Sequence, residues 1–246
     1  MEKSIKVRAL KDGEEAWDEV ALERDLRLVI NGKVIASVKL SPGHEHEFAL
    51  GYCLGEGFVK SVSAIRSIEV DYAEIRVLAD ESFLEAYERY ISSECLTGWR
   101  SRIKEEGIKV ASEAKFSAGE IFENMRRMQE QSEVWRRTGG VHSAALVSGD
   151  AFLLVEDVSR HVAIDKIIGL AAERGIDFEH SYILTSGRMP GDMVIKAARV
   201  GVPLIASRTA PIFSGILAAE RTGLTLIGFV RGKRMNIYTH AWRVVR

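Results

Sequence analysis

The chain has 246 residues, a net charge of -1, and a composition that is 46% apolar and 28% charged, enough for one large or two modest hydrophobic cores. Near-neutral charge excludes a general nucleic-acid binder. With no apolar leader behind Glu2 and no run near the ~18 apolar residues of a membrane span, a cytoplasmic protein without membrane contact is expected.

Residues 1–80 read as a small α+β domain, with short strands expected at 5–9, 26–30, 33–40, 65–70 and 74–78. Asn31-Gly32 marks a hairpin, because both turn positions need positive φ. Between these strands, Phe48, Ala49, Tyr52 and Cys53 follow the spacing of a helix with one buried face. Cys53 on that face reads as a small hydrophobe. His44 and His46, beside Glu45 and Glu47 at the helix entrance, read as solvated rather than metal-binding.

Residues 81–116 are expected to form a linker, with 82–107 a helix running into a mobile loop around Ser92-Ser93-Glu94-Cys95-Leu96-Thr97-Gly98. Two cysteines are too few for a disulfide framework, and neither has zinc-ligand spacing. That leaves Cys95 as the candidate sulfur nucleophile, either reactive or incidental. Arg100 and Arg102 would favour its thiolate and Glu94 would oppose it.

From Ser117 onward a third segment, 117–246, begins with an expected capping box closed by Glu120, followed by the apolar stripe Ile121, Phe122, Met125 and Met128. Beyond Gly139-Gly140 the pattern alternates regularly. Strands are expected at 143–147, 152–155, 182–185, 204–206 and 224–229, and helices at 160–172, 192–200 and 212–221, which predicts an α/β layered fold.

Ligands of such folds gather where strands end and helices begin. Three segments qualify: Glu156-Asp157-Val158-Ser159-Arg160-His161, then Thr185-Ser186-Gly187-Arg188 running on to Asp192, and Ser207-Arg208-Thr209-Ala210-Pro211. Arginine's planar fork suits phosphate oxygens. Each segment alone also fits simple capping by Ser159 or Asp192 with solvated arginines. Phe229-Val230-Arg231-Gly232-Lys233-Arg234 adds a strand end, a turn and three cations, matched either to a polyphosphate or to a surface hairpin. Between Arg221 and Arg246 there are six Arg or Lys and no acid, which favours an anionic ligand. His142 opens a strand, but without a Glu two residues on and without Pro-Cys-x-x-Cys it cannot build a zinc deaminase site.

These segments in this order resemble the FdhD family of formate dehydrogenase accessory sulfurtransferases. The likeness runs over 29–239. It rests on Ser41-Pro42 with Phe48-Ala49-Leu50-Gly51-Tyr52 and Glu56-Gly57, on Thr138 to His142, on Glu156 to His161 with Asp165-Lys166, on Thr185 to Arg188, and on 224–229 followed by Arg231-Gly232 and Asn236-Ile237-Tyr238-Thr239.

The resemblance implies a cytidine-deaminase-like α/β/α domain without the metal site over 117–246, beside the smaller N-terminal α+β domain. It further implies a homodimer, a persulfide supplied by a cysteine desulfurase, and formate dehydrogenase as recipient. The bound group would be Mo-bis(molybdopterin guanine dinucleotide), held transiently, with a GDP-like nucleotide as a possible ligand. Phe229, Val230, Arg231, Gly232, Lys233 and Arg234 would line that site, with Asp157, Arg160, His161, Ser186, Gly187 and Arg188 nearby and Cys95 carrying sulfur. The family's Cys-Gly-x-Cys-Gly loop is reduced here to a single cysteine, which leaves open a cofactor-binding chaperone without sulfur transfer. A nucleotide hydrolase or deaminase is a third, weaker reading.

Overall fold

The computed structural model describes residues 2–80, 88–90, 100–102 and 107–246. In chain order the elements are β1 (Ser4–Lys11), β2 (Glu14–Ala21), β3 (Arg24–Ile30), β4 (Lys33–Leu40), α1 (Glu45–Glu56), β5 (Ile65–Val70), β6 (Glu74–Ala79), β7 (Glu88–Tyr90), β8 (Arg100–Arg102), β9 (Phe116–Ser117), α2 (Ala118–Gln131), α3 (Glu133–Thr138), β10 (His142–Ser148), β11 (Ala151–Asp157), α4 (Arg160–Glu173), β12 (Tyr182–Thr185), α5 (Gly191–Arg199), β13 (Leu204–Ser207), α6 (Phe213–Thr222), β14 (Thr225–Arg231), β15 (Arg234–Ile237) and β16 (Val244–Val245). No helix among the described residues is long and apolar enough to cross a membrane.

A six-stranded sheet in the order β11-β10-β12-β13-β14-β15 forms the centre. Its strands β12, β13 and β14 are parallel and its flanking pairs antiparallel. One face packs against α2 through Ile121, Met125 and Met128; the other meets α4 and α5. These layers make the α/β architecture anticipated from the alternating pattern. A second sheet, β4-β3-β6-β5, carries α1, and one apolar cluster runs from Leu28, Phe48 and Ile75 through Ile164 to Leu226.

Several local expectations are corrected. Asp12 and Gly13 both have positive φ and close a hairpin between β1 and β2, where only strand 5–9 was expected; Asp-Gly serves as Asn31-Gly32 does. Segment 82–107 was expected to be helix and loop, yet Glu88–Tyr90 and Arg100–Arg102 are antiparallel strands, a pairing between residues distant in sequence that local periodicity cannot reveal. Cys95 and its neighbours at 91–99 lie outside the described residues. Neither Ser117 nor Ser159 makes a side-chain cap, so the capping box is not closed. Glu156, reaching from β11, caps α3 instead by accepting the Val134 and Trp135 N–H groups at 3.0 and 2.8 Å.

The two halves meet at α1 and α4. Residues 160–171 are buried all round the helix, as expected of a helix enclosed between two layers. A Cβ on Gly51 would collide with the Asp165 carbonyl, and one on Gly169 with the Glu47 carbonyl. Only glycine permits that approach of two helix backbones.

Buried charges flank this crossing. Lys166 Nζ donates to Asp157 Oδ2 and to the Ser41 carbonyl, both at 2.7 Å, while Asp157 accepts the Ser41 N–H at 2.9 Å. Burial pushes Asp157 up and Lys166 down, and each charge opposes the other's shift. On the far side, Lys196 Nζ lies 2.5 Å from Asp165 Oδ1, 3.0 Å from Glu56 Oε1 and 4.9 Å from the Tyr52 ring centre.

Two stability predictions follow. Gly51→Ala or Gly169→Ala should cost about 3 kcal/mol by overpacking, a fall of roughly 6–12 °C in Tm for a chain of this size, readable by calorimetry. Lys196→Ala strands two carboxylates and should cost about 3–5 kcal/mol; denaturation midpoints equal to wild type would show that the Lys196 ion pairs do not hold this crossing.

Candidate functional site

The carboxyl ends of β12, β13 and β14 lie along one edge of the central sheet. Antiparallel pairing brings the start of β10 and the end of β11 to the same edge, with His142 opposite Asp157 and Ala144 opposite Thr185. The three loops singled out by sequence therefore share one rim.

Hydrogen bonds join these loops. Ser207 Oγ donates to the Gly187 carbonyl at 2.7 Å, and Thr209 Oγ1 to the Ser186 carbonyl at 3.4 Å. The Met189 N–H meets the Ala210 carbonyl at 3.2 Å, and the Phe229 N–H meets the Thr209 carbonyl at 3.0 Å. Arg231 Nε donates to the Arg208 carbonyl at 3.1 Å. At Gly228 an added Cβ would come within 2.8 Å of Pro211 Cδ, so a side chain there would force the loops apart. Phe229 follows with φ of 56° at the irregularity between Gly228 and Arg231. A bulky residue in this region stores roughly 1–3 kcal/mol of backbone strain.

Charge is concentrated at the start of α4. Gly187 lets the Arg160 side chain cross its backbone, because a Cβ there would sit 2.8 Å from Arg160 Cβ. Burial, then the Arg188 charge, pulls the Arg160 guanidinium below its ordinary value, with Asp192 opposing. His161, itself buried, holds Nε2 3.4 Å from Asp192 Oδ2. Two mutually repelling arginines beside one carboxylate leave a positive field whose complement is an anion. The N-termini of α4 and α5, neither with a side-chain cap, open on the same rim and add to that field.

The remaining predicted residues take different positions. Asp157 is fully buried in its ion pair with Lys166 and also accepts the Ser159 N–H at 2.8 Å, so it shapes the loop. Val230 is buried in the second core cluster. Gly232 and Lys233 form the exposed turn of the β14–β15 hairpin, with Arg231 opposite Arg234. Arg243, counted in the C-terminal cationic excess, is buried and donates to the Gly223 and Ser112 carbonyls. Cys53 is wholly buried, which pushes its thiol up to about 12, and it packs as expected.

His142 joins the rim although the sequence reading gave it no binding role of its own, and Arg208 lies there within the third segment singled out by sequence. His142 Nδ1 lies 3.3 Å from Ser186 Oγ, and burial followed by the Arg188 charge holds the ring below the ordinary histidine range. The usable sequence signal was its place at a strand start beside two glycines. A cavity of 1020 Å³ lies elsewhere, between the β1–β2 hairpin and the outer side of β11. Its lining mixes acids and bases, including the Arg137–Glu19 pair at 3.1 Å, and it includes none of the arginines of the rim.

The pattern that defines the FdhD/NarQ family matches residues 21–245. The chain is 48% identical over 229 residues to the sulfur carrier protein FdhD of Methanothermobacter thermautotrophicus, covering 93% of this chain and 92% of that one. Against the protein of the same name from Sulfolobus acidocaldarius it is 35% identical over 249 residues, covering 98% of each. The crystal structure of a candidate formate dehydrogenase accessory protein from Desulfotalea psychrophila superposes with a TM-score of 0.84 at 29% identity, covering 99% of this chain and 100% of that one. With its fold and nearly its whole length in common with these proteins, the chain belongs to the FdhD/NarQ family.

Proposed function

We propose that this protein is a formate dehydrogenase accessory protein that carries sulfur and holds Mo-bis(molybdopterin guanine dinucleotide) as its substrate at the sheet rim. The carrying observation is the convergence of Arg160, Arg188, Arg208 and Arg231 on one edge, with Gly187 and Gly228 allowing close backbone approach. Arginine forks and helix N-termini suit the pyrophosphate of a guanine dinucleotide, and GDP presents the same chemistry. In this reading the chain works as a homodimer between a cysteine desulfurase and formate dehydrogenase.

The protein's own residues divide the work. Arg188, exposed, and Arg231, bonded to the Arg208 carbonyl, bind and orient phosphate oxygens. Ser186 and Gly187 set the floor of the site. Cys95 performs the sulfur step: its thiolate attacks the outer sulfur of a donor persulfide, a new S–S bond forms as the old one breaks, and the donor leaves as thiolate. The loop's single cysteine supports one carrier thiol and excludes a two-cysteine relay within that loop. The same observation favours a second reading, a cofactor-binding chaperone that transfers no sulfur.

Mass spectrometry after incubation with a desulfurase and free cysteine separates the two readings. A sulfur adduct on Cys95, together with loss of formate dehydrogenase maturation in Cys95→Ala, is the expected outcome. An unmodified Cys95 and normal maturation by that variant select the chaperone. For the rim, Arg188→Ala or Arg231→Ala should weaken GDP binding about tenfold, the scale of one charge-assisted hydrogen bond, in a titration calorimeter. Undiminished binding in both variants removes the cationic rim from the proposal.

A further inference from the structure

Resting on the rim as an anion site, we infer that His142 is a further ligand contact, a neutral imidazole whose Nε2–H donates to the bound anion while Ser186 holds Nδ1. The hydrogen bonds around Ser186 favour that direction. Ser186 Oγ already accepts the Ser143 N–H at 2.9 Å, and its hydrogen has one acceptor among the described residues, His142 Nδ1 at 3.3 Å. A hydroxyl that donates to Nδ1 puts the ring proton on Nε2.

That proton has no other protein partner among the described residues. His142 makes no further hydrogen bond there, and its Nε2 is not among the buried polar atoms lacking partners, so this nitrogen reaches solvent. The side chain lies at the end of the row formed by Ala144 and Leu146, on the sheet face that α4 covers.

The groups facing the ring explain why it stays neutral. Arg188 from the β12–α5 loop repels a second positive charge, and burial disfavours one. Asp157, its cross-strand neighbour, has its carboxylate taken by Lys166, and Asp192 is paired with His161. A neutral donor adds direction to a site whose arginines supply charge. It requires an acceptor at a set position, such as a phosphate or guanine oxygen, where a solvated arginine would tolerate many.

Two isosteric variants separate contact from structure. Gln places its amide N–H where Nε2–H lies, whereas Asn can only reproduce the Nδ1 side toward Ser186. With GDP as probe, His142→Gln should keep affinity within about threefold and His142→Asn should lose about tenfold, the scale of one hydrogen bond to a charged group. The reverse order would make His142 a prop for Ser186 and overturn the contact. Independently, ¹⁵N NMR of the free wild-type protein should find the Nε2–H tautomer, and an Nδ1–H tautomer would also overturn it. Failure of the wild-type chain to bind GDP brings down the rim and this contact with it; wild-type binding that persists in His142→Asn removes the contact alone.

Discussion

Gly51 and Gly169 let the backbones of α1 and α4 touch, and the position of the rim follows from that contact. Held so close, α1 brings the preceding Ser41 over α4, where Lys166 joins the Ser41 carbonyl to Asp157. Asp157 then accepts the N–H groups of Ser41 and Ser159, which sets the turn that launches Arg160 across Gly187. A helix crossing deep in the molecule thus fixes a buried arginine beneath the rim. The buried pairs are not needed for net stability, since apolar replacements of similar volume often do as well. Their directional bonds do, however, select one register between the halves.

Much of this was legible from sequence wherever the signal is local. Asn31-Gly32, the strand starts at Ser143 and Tyr182, and the helices after Ser159 and Pro190 declare themselves by turn chemistry or periodicity within a few residues. Lys166 and Lys196 do not, because a lysine in an amphipathic helix reads as solvent-facing until a carboxylate from another element is placed beside it. Asp157 likewise read as a ligand contact until its partner on α4 was known. His142 was weighed only against a zinc motif it lacks, and its link to Ser186 depends on antiparallel pairing of β10 with β12, which no local pattern encodes. Ser186, Gly187 and Arg188 were legible because a strand end before a helix carries its own physical argument.

The two cysteines illustrate how burial divides chemistry. Cys53 has no access to solvent, and its thiol is held up to about 12, so its thiolate is effectively absent at neutral pH and it can serve only as packing. Any sulfur chemistry therefore falls to Cys95. Were Cys95 the lone carrier thiol proposed above, it would be both acceptor and donor, and a persulfide on it would have no cysteine in the same loop to form a disulfide with and release the sulfur early. In that reading a single cysteine does without both a relay step and an unproductive exit.

The rim is under an opposite constraint, that of rigidity. Hydrogen bonds run from the loop after β12 to the loop after β13 and on to β14, so moving one loop strains the next. The strained φ at Phe229 persists because its N–H is fixed to the Thr209 carbonyl and Gly228 is wedged against Pro211, the over-determined setting that such conformations require. A rim preorganised in this way would lose little order on meeting the anion proposed for it, so the repulsion between Arg160 and Arg188 that the fold tolerates in the free protein would become attraction for that ligand instead of being relieved by loop movement.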